Sequence, residues 1–291
     1  MKALGLSLGL LAVALCSSLA QITVEVALDQ DQFLPSEPLV AAVRLANRSG
    51  QTLHLGGEPD WLALSVEAKE GFIVPKGDDV PVVDAFVLDS SKIATKRVNL
   101  TPYFNFTKPG RYSITATVRI KQWDKTFSSP PKFFDIIQGT KLWEQDFGVP
   151  PSVRGGTGNP EVRKYILQQA SYLKQLRLYV RVTDAAGERA LRVFSIGSMV
   201  SFSRPEPQVD RQSNLHVLFQ TGARAFIYCV VNPEGDIILR QTHDYTNTRP
   251  RLKVDAEGKF GVVGGVRRVT ATDVPPPAES AATNGVKAPQ P

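Results

Sequence analysis

Three histidines, at positions 54, 216 and 243, and two cysteines, at 16 and 229, are the whole supply of imidazole and thiol in this chain of 291 residues. That rules out a histidine-rich or cysteine-rich metal cluster, and it leaves few ways to assemble a nucleophile with its base. His243 is followed directly by Asp244, but neighbours on a strand point to opposite faces, so the two cannot form a relay there. His216 lies in an alternating stretch, where a satisfied structural imidazole is expected. Cys229, between Tyr228 and Val230, reads as a buried apolar thiol. The sequence has no Gly-x-Ser-x-Gly, His-Glu-x-x-His, Walker or Cys-x-x-Cys motif. Gly155-Gly156-Thr157-Gly158 lacks the flanking strand, helix and lysine that a phosphate cradle needs, and reads as a connector. The expectation is a protein without catalytic residues, metal or cofactor. The rival is a carbohydrate-active or other hydrolase built from Asp and Glu alone, whose carboxylates are distant in sequence.

The stretch richest in donors, rings and charge runs from His243 through Tyr245 to Arg249 and Arg251. Arg204 holds the matching place 45 residues before Arg249, each arginine preceding a proline. These five residues are the candidate contacts for an anionic or polar ligand. The competing role for Arg249 is to pair with Asp244 or Asp255 and tie the loop down. Charge is uneven: residues 21–139 carry 13 basic against 14 acidic side chains, residues 140–272 carry 19 against 12, and 14 of those 19 are arginine. Guanidinium forks suit carboxylate, sulfate or phosphate. The arginines are scattered with no Lys/Arg run, so a nucleic-acid partner is not expected, and cross-strand pairing with acids is the competing reading.

These residues sit in an internal repeat. Leu178–Val182, a turn at Asp184–Gly187, Arg204-Pro205, Val209-Asp210 and Leu215–Leu218 are echoed by Phe226–Val231, a turn at Asn232–Gly235, Arg249-Pro250, Val254-Asp255 and Phe260–Val263. Each copy offers four short strands. A four-strand unit of this length resembles a β-propeller blade, which would make the rim loops the binding face and would allow closure between chains in an oligomer. Residues 160–177 fit either a helix capped by Asn159-Pro160 or a strand with Tyr165 and Leu167 on one side, and the repeat favours the strand.

Residues 21–138 read as short alternating strands. Examples are Ile22–Leu28, Leu39–Leu45, Leu62–Val66 and Tyr112–Val118, separated by Asn, Gly, Pro and Asp. Pro35-Ser36-Glu37-Pro38, Leu45–Gly50 and Pro109–Ile114 resemble the immunoglobulin-like sandwiches of exported bacterial proteins; this resemblance implies a fold and no function. Trp61 is expected in the core. Asn47, Asn99 and Asn105 open formal glycosylation sequons.

The fold expected is therefore all-β: a sandwich over 21–138, a Gly-rich linker over 139–159, a β-meander or propeller-like domain over 160–270, and a Pro/Ala-rich disordered tail over 271–291. Residues 1–20 read as a signal peptide, with Lys2, an apolar run from Ala3 to Cys16 too short to span a bilayer, and small residues before Gln21. Val13–Cys16 also approximates a lipobox, which would make Cys16 a lipid anchor. The reading is an exported, periplasmic or extracellular binding or scaffolding protein without a transmembrane anchor, its partner a protein or an anionic or polysaccharide surface.

Overall fold

The computed structural model describes residues 22–80, 82, 84–149 and 161–275. The signal segment 1–20, the glycine cluster 155–158 and most of the tail, 276–291, lie outside the described residues. Among those described, the one helical element is a single 3-10 turn at Lys121–Trp123, and the sheets remain open. None of their helices is long and apolar enough to cross a membrane.

In chain order the first half forms β1 (Ile22–Leu28), β2 (Gln32–Phe33), β3 (Val40–Asn47), β4 (Leu53–Leu55), β5 (Leu62–Ala68), β6 (Phe86–Leu88), β7 (Ile93–Asn99), β8 (Gly110–Ile120), β9 (Lys125–Ser128) and β10 (Lys132–Ile136). One sheet runs β1-β3-β7, and a second runs β2-β10-β8-β5 with β9 on β8. Period-two alternation puts Tyr112, Ile114, Ala116 and Val118 of β8 wholly inside, together with Ala41, Val43 and Leu45 of β3, so the two sheets share one core. Trp61 is buried in it. Asn47 closes β3 from inside: its Nδ2 donates to the carbonyls of Gln51 (2.7 Å) and Leu88 (2.9 Å), and its Oδ1 accepts the Ser49 N–H at 3.0 Å.

The second half forms β11 (Thr140–Gly148), β12 (Val162–Tyr172), β13 (Gln175–Asp184), β14 (Ala190–Met199), β15 (Glu206–Val209), β16 (Leu215–Gln220), β17 (Ala225–Val231), β18 (Ile237–Asp244), β19 (Arg251–Val254), β20 (Phe260–Val263) and β21 (Val266–Arg268). Two expectations change here, and the strand reading of residues 160–177 is met. The expected linker begins with β11, which pairs with β12 across eight residue pairs and puts Phe147 in the core, so residues 140–148 belong to the second half. Residues 162–172 are strand, and Tyr165 and Leu167 are both fully buried on the same side. The tail starts later than expected, because Val274 exchanges both backbone hydrogen bonds with Arg240 of β18, at 3.0 and 3.1 Å.

The two Val-Asp turns share one hydrogen-bond pattern. In the β15–β16 turn, Asp210 Oδ1 accepts the N–H groups of Gln212 and Asn214, both at 2.8 Å. In the β19–β20 turn, Asp255 Oδ1 accepts those of Glu257 (3.1 Å) and Lys259 (2.7 Å), 45 residues on. The left-handed position is Ser213 (φ 66°) in one and Gly258 (φ 83°) in the other. One copy is not one sheet, however. β13 and β14 finish the sheet β11-β12-β13-β14, whereas β15 and β16 open the next, β15-β16-β17-β18-β21. β19 and β20 then make a separate two-stranded ribbon. Leu215, Val217 and Phe219 of β16 pack toward the first of these sheets, and Leu218 packs toward the ribbon residue Leu252. With both faces covered, all six residues of β16 are buried.

The halves also touch. Leu34, in the loop after β2, is buried against Ala170, Tyr179 and Val193, and the Leu173 N–H donates to Gln32 Oε1 at 2.9 Å.

Candidate binding cleft

The loop singled out from sequence is largely occupied by its own neighbours. Arg249 Nη2 donates to Ser203 Oγ at 3.0 Å and lies 3.4 Å from Gln220 Oε1, and its guanidinium sits 5.2 Å from the centre of the Phe226 ring. Arg251 Nη1 donates to Glu206 Oε1 at 2.7 Å. The segments around Arg249 and Arg204 are thus brought together, and Arg204 itself is exposed. Asp244 pairs instead with Arg268, at 2.9 Å. His243 is buried at the β18–β21 edge; burial, helped by Arg267, pushes its imidazole below the usual range. The Tyr245 N–H donates to the Arg224 carbonyl at 2.7 Å, and Arg224 Nε donates to the Tyr245 carbonyl at 2.9 Å. His243 and Tyr245 do not join the arginines.

A cleft of about 590 Å³ lies instead between the outer face of the β15–β21 sheet and the β19–β20 ribbon. Val230, Ile238 and Leu239 give it apolar walls, and Arg211 and Lys259 come from the two equivalent turns. Neither cation has an ion-pair partner among the described residues. Glu257 also lines it and is exposed.

Beneath these side chains runs a buried polar chain. His216 Nε2 lies 3.0 Å from Asp210 Oδ2, and His216 Nδ1 lies 2.7 Å from the Tyr228 hydroxyl. Asp210 Oδ2 also accepts from Asn214 Nδ2 at 2.9 Å. An ionised carboxylate only accepts, so Nε2 carries the proton and Nδ1 accepts from Tyr228; the tautomer is assigned from this network. Burial opposes ionisation of Asp210, but the bonds from His216 and Asn214 outweigh it and hold the carboxyl below its usual range. Burial pushes the His216 imidazole down despite the carboxylate beside it, and pushes the Tyr228 hydroxyl up. Phe260 stacks on His216 with centroids 4.6 Å apart, so the ribbon presses directly on the network.

Both imidazole nitrogens are engaged, one by a carboxylate and one by a phenol, which fixes the tautomer and orientation of the ring. Cys229 is fully buried, its thiol pushed up by burial to about 12. The sequence reading had His216 and Cys229 as buried structural groups. It missed Asp210, Tyr228, Arg211 and Lys259 as one cluster, although the paired Val-Asp turns of the repeat mark where it forms. No family model matches the chain, and no curated protein matches it.

Proposed function

We propose that the protein is an exported, non-catalytic binding protein, whose cleft between the β15–β21 sheet and the β19–β20 ribbon takes a ligand with an apolar body and an anionic group. The observation that carries this reading is the pairing of apolar walls with two cations, Arg211 and Lys259, above a network whose proton-bearing groups are all committed. Net charge of +7 over residues 140–272 is consistent with an anionic partner. Export rests on the signal-like residues 1–20.

The architecture we infer is immunoglobulin-like in the first half. The strand order β1-β3-β7 against β2-β10-β8-β5, the parallel β2–β10 pair, and the Tyr112 hydroxyl donating back to the Lys108 carbonyl at 2.6 Å all support it. Two stacked meander sheets and a two-stranded third layer support a partial propeller-like stack in the second half.

Naphthalene-2-sulfonate is the probe that tests the cleft, since its ring can stack by Phe260 while its sulfonate reaches the cations. Saturable binding to the mature chain, weakened about tenfold or more by Arg211→Glu with Lys259→Glu, is expected. Unchanged affinity in that variant would remove the proposal. So would hydrolysis of 4-nitrophenyl esters or glycosides that disappears in His216→Gln.

A further inference from the structure

A larger cleft, of about 730 Å³, opens at one end of the first pair of sheets. The β4–β6 ribbon forms one wall, with His54 and Val87 paired across it. The turn after β4 and the end of β8 form the others. Gly56 is required there: its φ is 79°, and a Cβ would come within 2.0 Å of the Asp84 carbonyl oxygen, so a side chain would prevent the turn from closing on the segment that leads into β6. The aromatic floor is fixed in place. The Trp61 indole N–H donates to the Val82 carbonyl, and Phe86 meets the indole edge to face at 5.5 Å.

The rim is charged and yet self-neutralising. Asp60 Oδ2 pairs with Arg119 Nη1 at 2.8 Å, and Glu58 Oε1 pairs with Lys121 Nζ at 2.7 Å. In each carboxylate the second oxygen has no hydrogen-bond partner among the described residues. Arg119 also faces Asp124 at 3.7 Å, so the rim has no surplus of positive charge, while each carboxylate offers an acceptor next to a cationic donor. A vicinal diol satisfies that combination, one hydroxyl donating to the carboxylate and its neighbour accepting from Arg or Lys. Gln122 adds an amide at the same rim.

We infer that this cleft binds a neutral glycan, with its hydroxyls on Glu58, Asp60, Arg119 and Lys121 and a sugar ring beside Phe86, one face of which Lys96 Nζ covers at 4.4 Å from the ring centre. An anionic ligand would meet acids that already engage both rim cations; a purely apolar ligand would leave the rim groups desolvated without partners. The site is separate from the Arg211–Lys259 cleft, so the two proposals stand or fall independently.

Calorimetry and saturation-transfer NMR on the mature chain with cellotriose, chitotriose and mannotriose test it. At least one should bind, and Glu58→Gln with Asp60→Asn should weaken it about tenfold or more. Both residues are exposed, so the variant should keep the wild-type melting temperature. Phe86→Ala should abolish binding, and Arg211→Glu with Lys259→Glu should leave it unchanged. Absence of binding by all three sugars, or equal binding by wild type and the Glu58→Gln, Asp60→Asn variant, overturns the inference. Occupation of this cleft by uncharged peptides in preference to the sugars does so too.

Discussion

Replacing Tyr228 by phenylalanine removes one oxygen from the floor of the ribbon cleft and nothing else in volume. That oxygen gives His216 Nδ1 its hydrogen bond, at 2.7 Å, and Phe260 covers the same ring. With Nε2–H committed to Asp210, the Nδ1 lone pair would be left buried and unpaired. The cost of such an orphan is about 1–3 kcal/mol, so the variant should melt roughly 2–10 °C lower for a chain of this size. Asp210→Asn places an amide where His216 and Asn214 both donate, and should also destabilise. Because both bonds depend on one imidazole and its tautomer, the double variant should deviate from additivity by at least about 0.5 kcal/mol. Tyr112→Phe serves as the comparison. Its hydroxyl bonds the Lys108 carbonyl at 2.6 Å in the other half, and with Tyr228→Phe it should add within about 0.3–0.5 kcal/mol. Denaturant titrations of the four-member cycle give these numbers. A Tyr228→Phe variant as stable as wild type, or an additive Asp210–Tyr228 cycle, would refute a connected Asp–His–Tyr network.

Acid should weaken the fold early. Burial lowers both His216 and His243 below the ordinary value of 6.5, so the unfolded chain takes up protons first, and stability present above pH 6.5 should fall as the pH drops below it. Melting curves between pH 8 and 5 should show this, and His216→Gln should reduce the slope; a flat profile contradicts it. A protease site placed between Gly155 and Gly156 should give a nicked protein whose pieces co-elute under native conditions, because β11 stays paired with β12 and Val149 N–H bonds the Glu161 carbonyl at 2.8 Å. Separation of the pieces on size exclusion without denaturant would show the strand pairing to be wrong. Expressed in a host that glycosylates, the chain should be modified at the exposed Asn99 and Asn105 and left bare at Asn47, whose Nδ2 is buried with two acceptors. Peptide mass mapping reads this directly, and a glycan on Asn47 would contradict it.

What could be read in advance followed strand periodicity. The alternation at Tyr112–Val118 and at Tyr165 and Leu167 identified inward faces, since a half-buried strand leaves a two-residue period. β11 escaped because Thr140–Gly148 is an exposed edge strand carrying polar and charged side chains, with only Phe147 fully committed to the core. The shared turn chemistry was legible through the Val-Asp pairs, but the division of the strands between two sheets was not, since hairpin chemistry is the same whichever neighbour a strand joins. The cleft escaped for a related reason. Asp210, His216 and Tyr228 lie on separate elements, and only the β16–β17 register places the imidazole against the phenol.

Where an anionic ligand with an apolar body binds decides the role of the cleft between the β15–β21 sheet and the β19–β20 ribbon. Backbone amide shifts of the isotope-labelled mature chain, followed during titration with naphthalene-2-sulfonate, report this residue by residue. Shifts centred on Arg211, Ile238, Lys259 and Phe260, lost in the Arg211→Glu, Lys259→Glu variant, are the predicted result. Shifts confined to residues 243–251, or none at saturating probe, would contradict it.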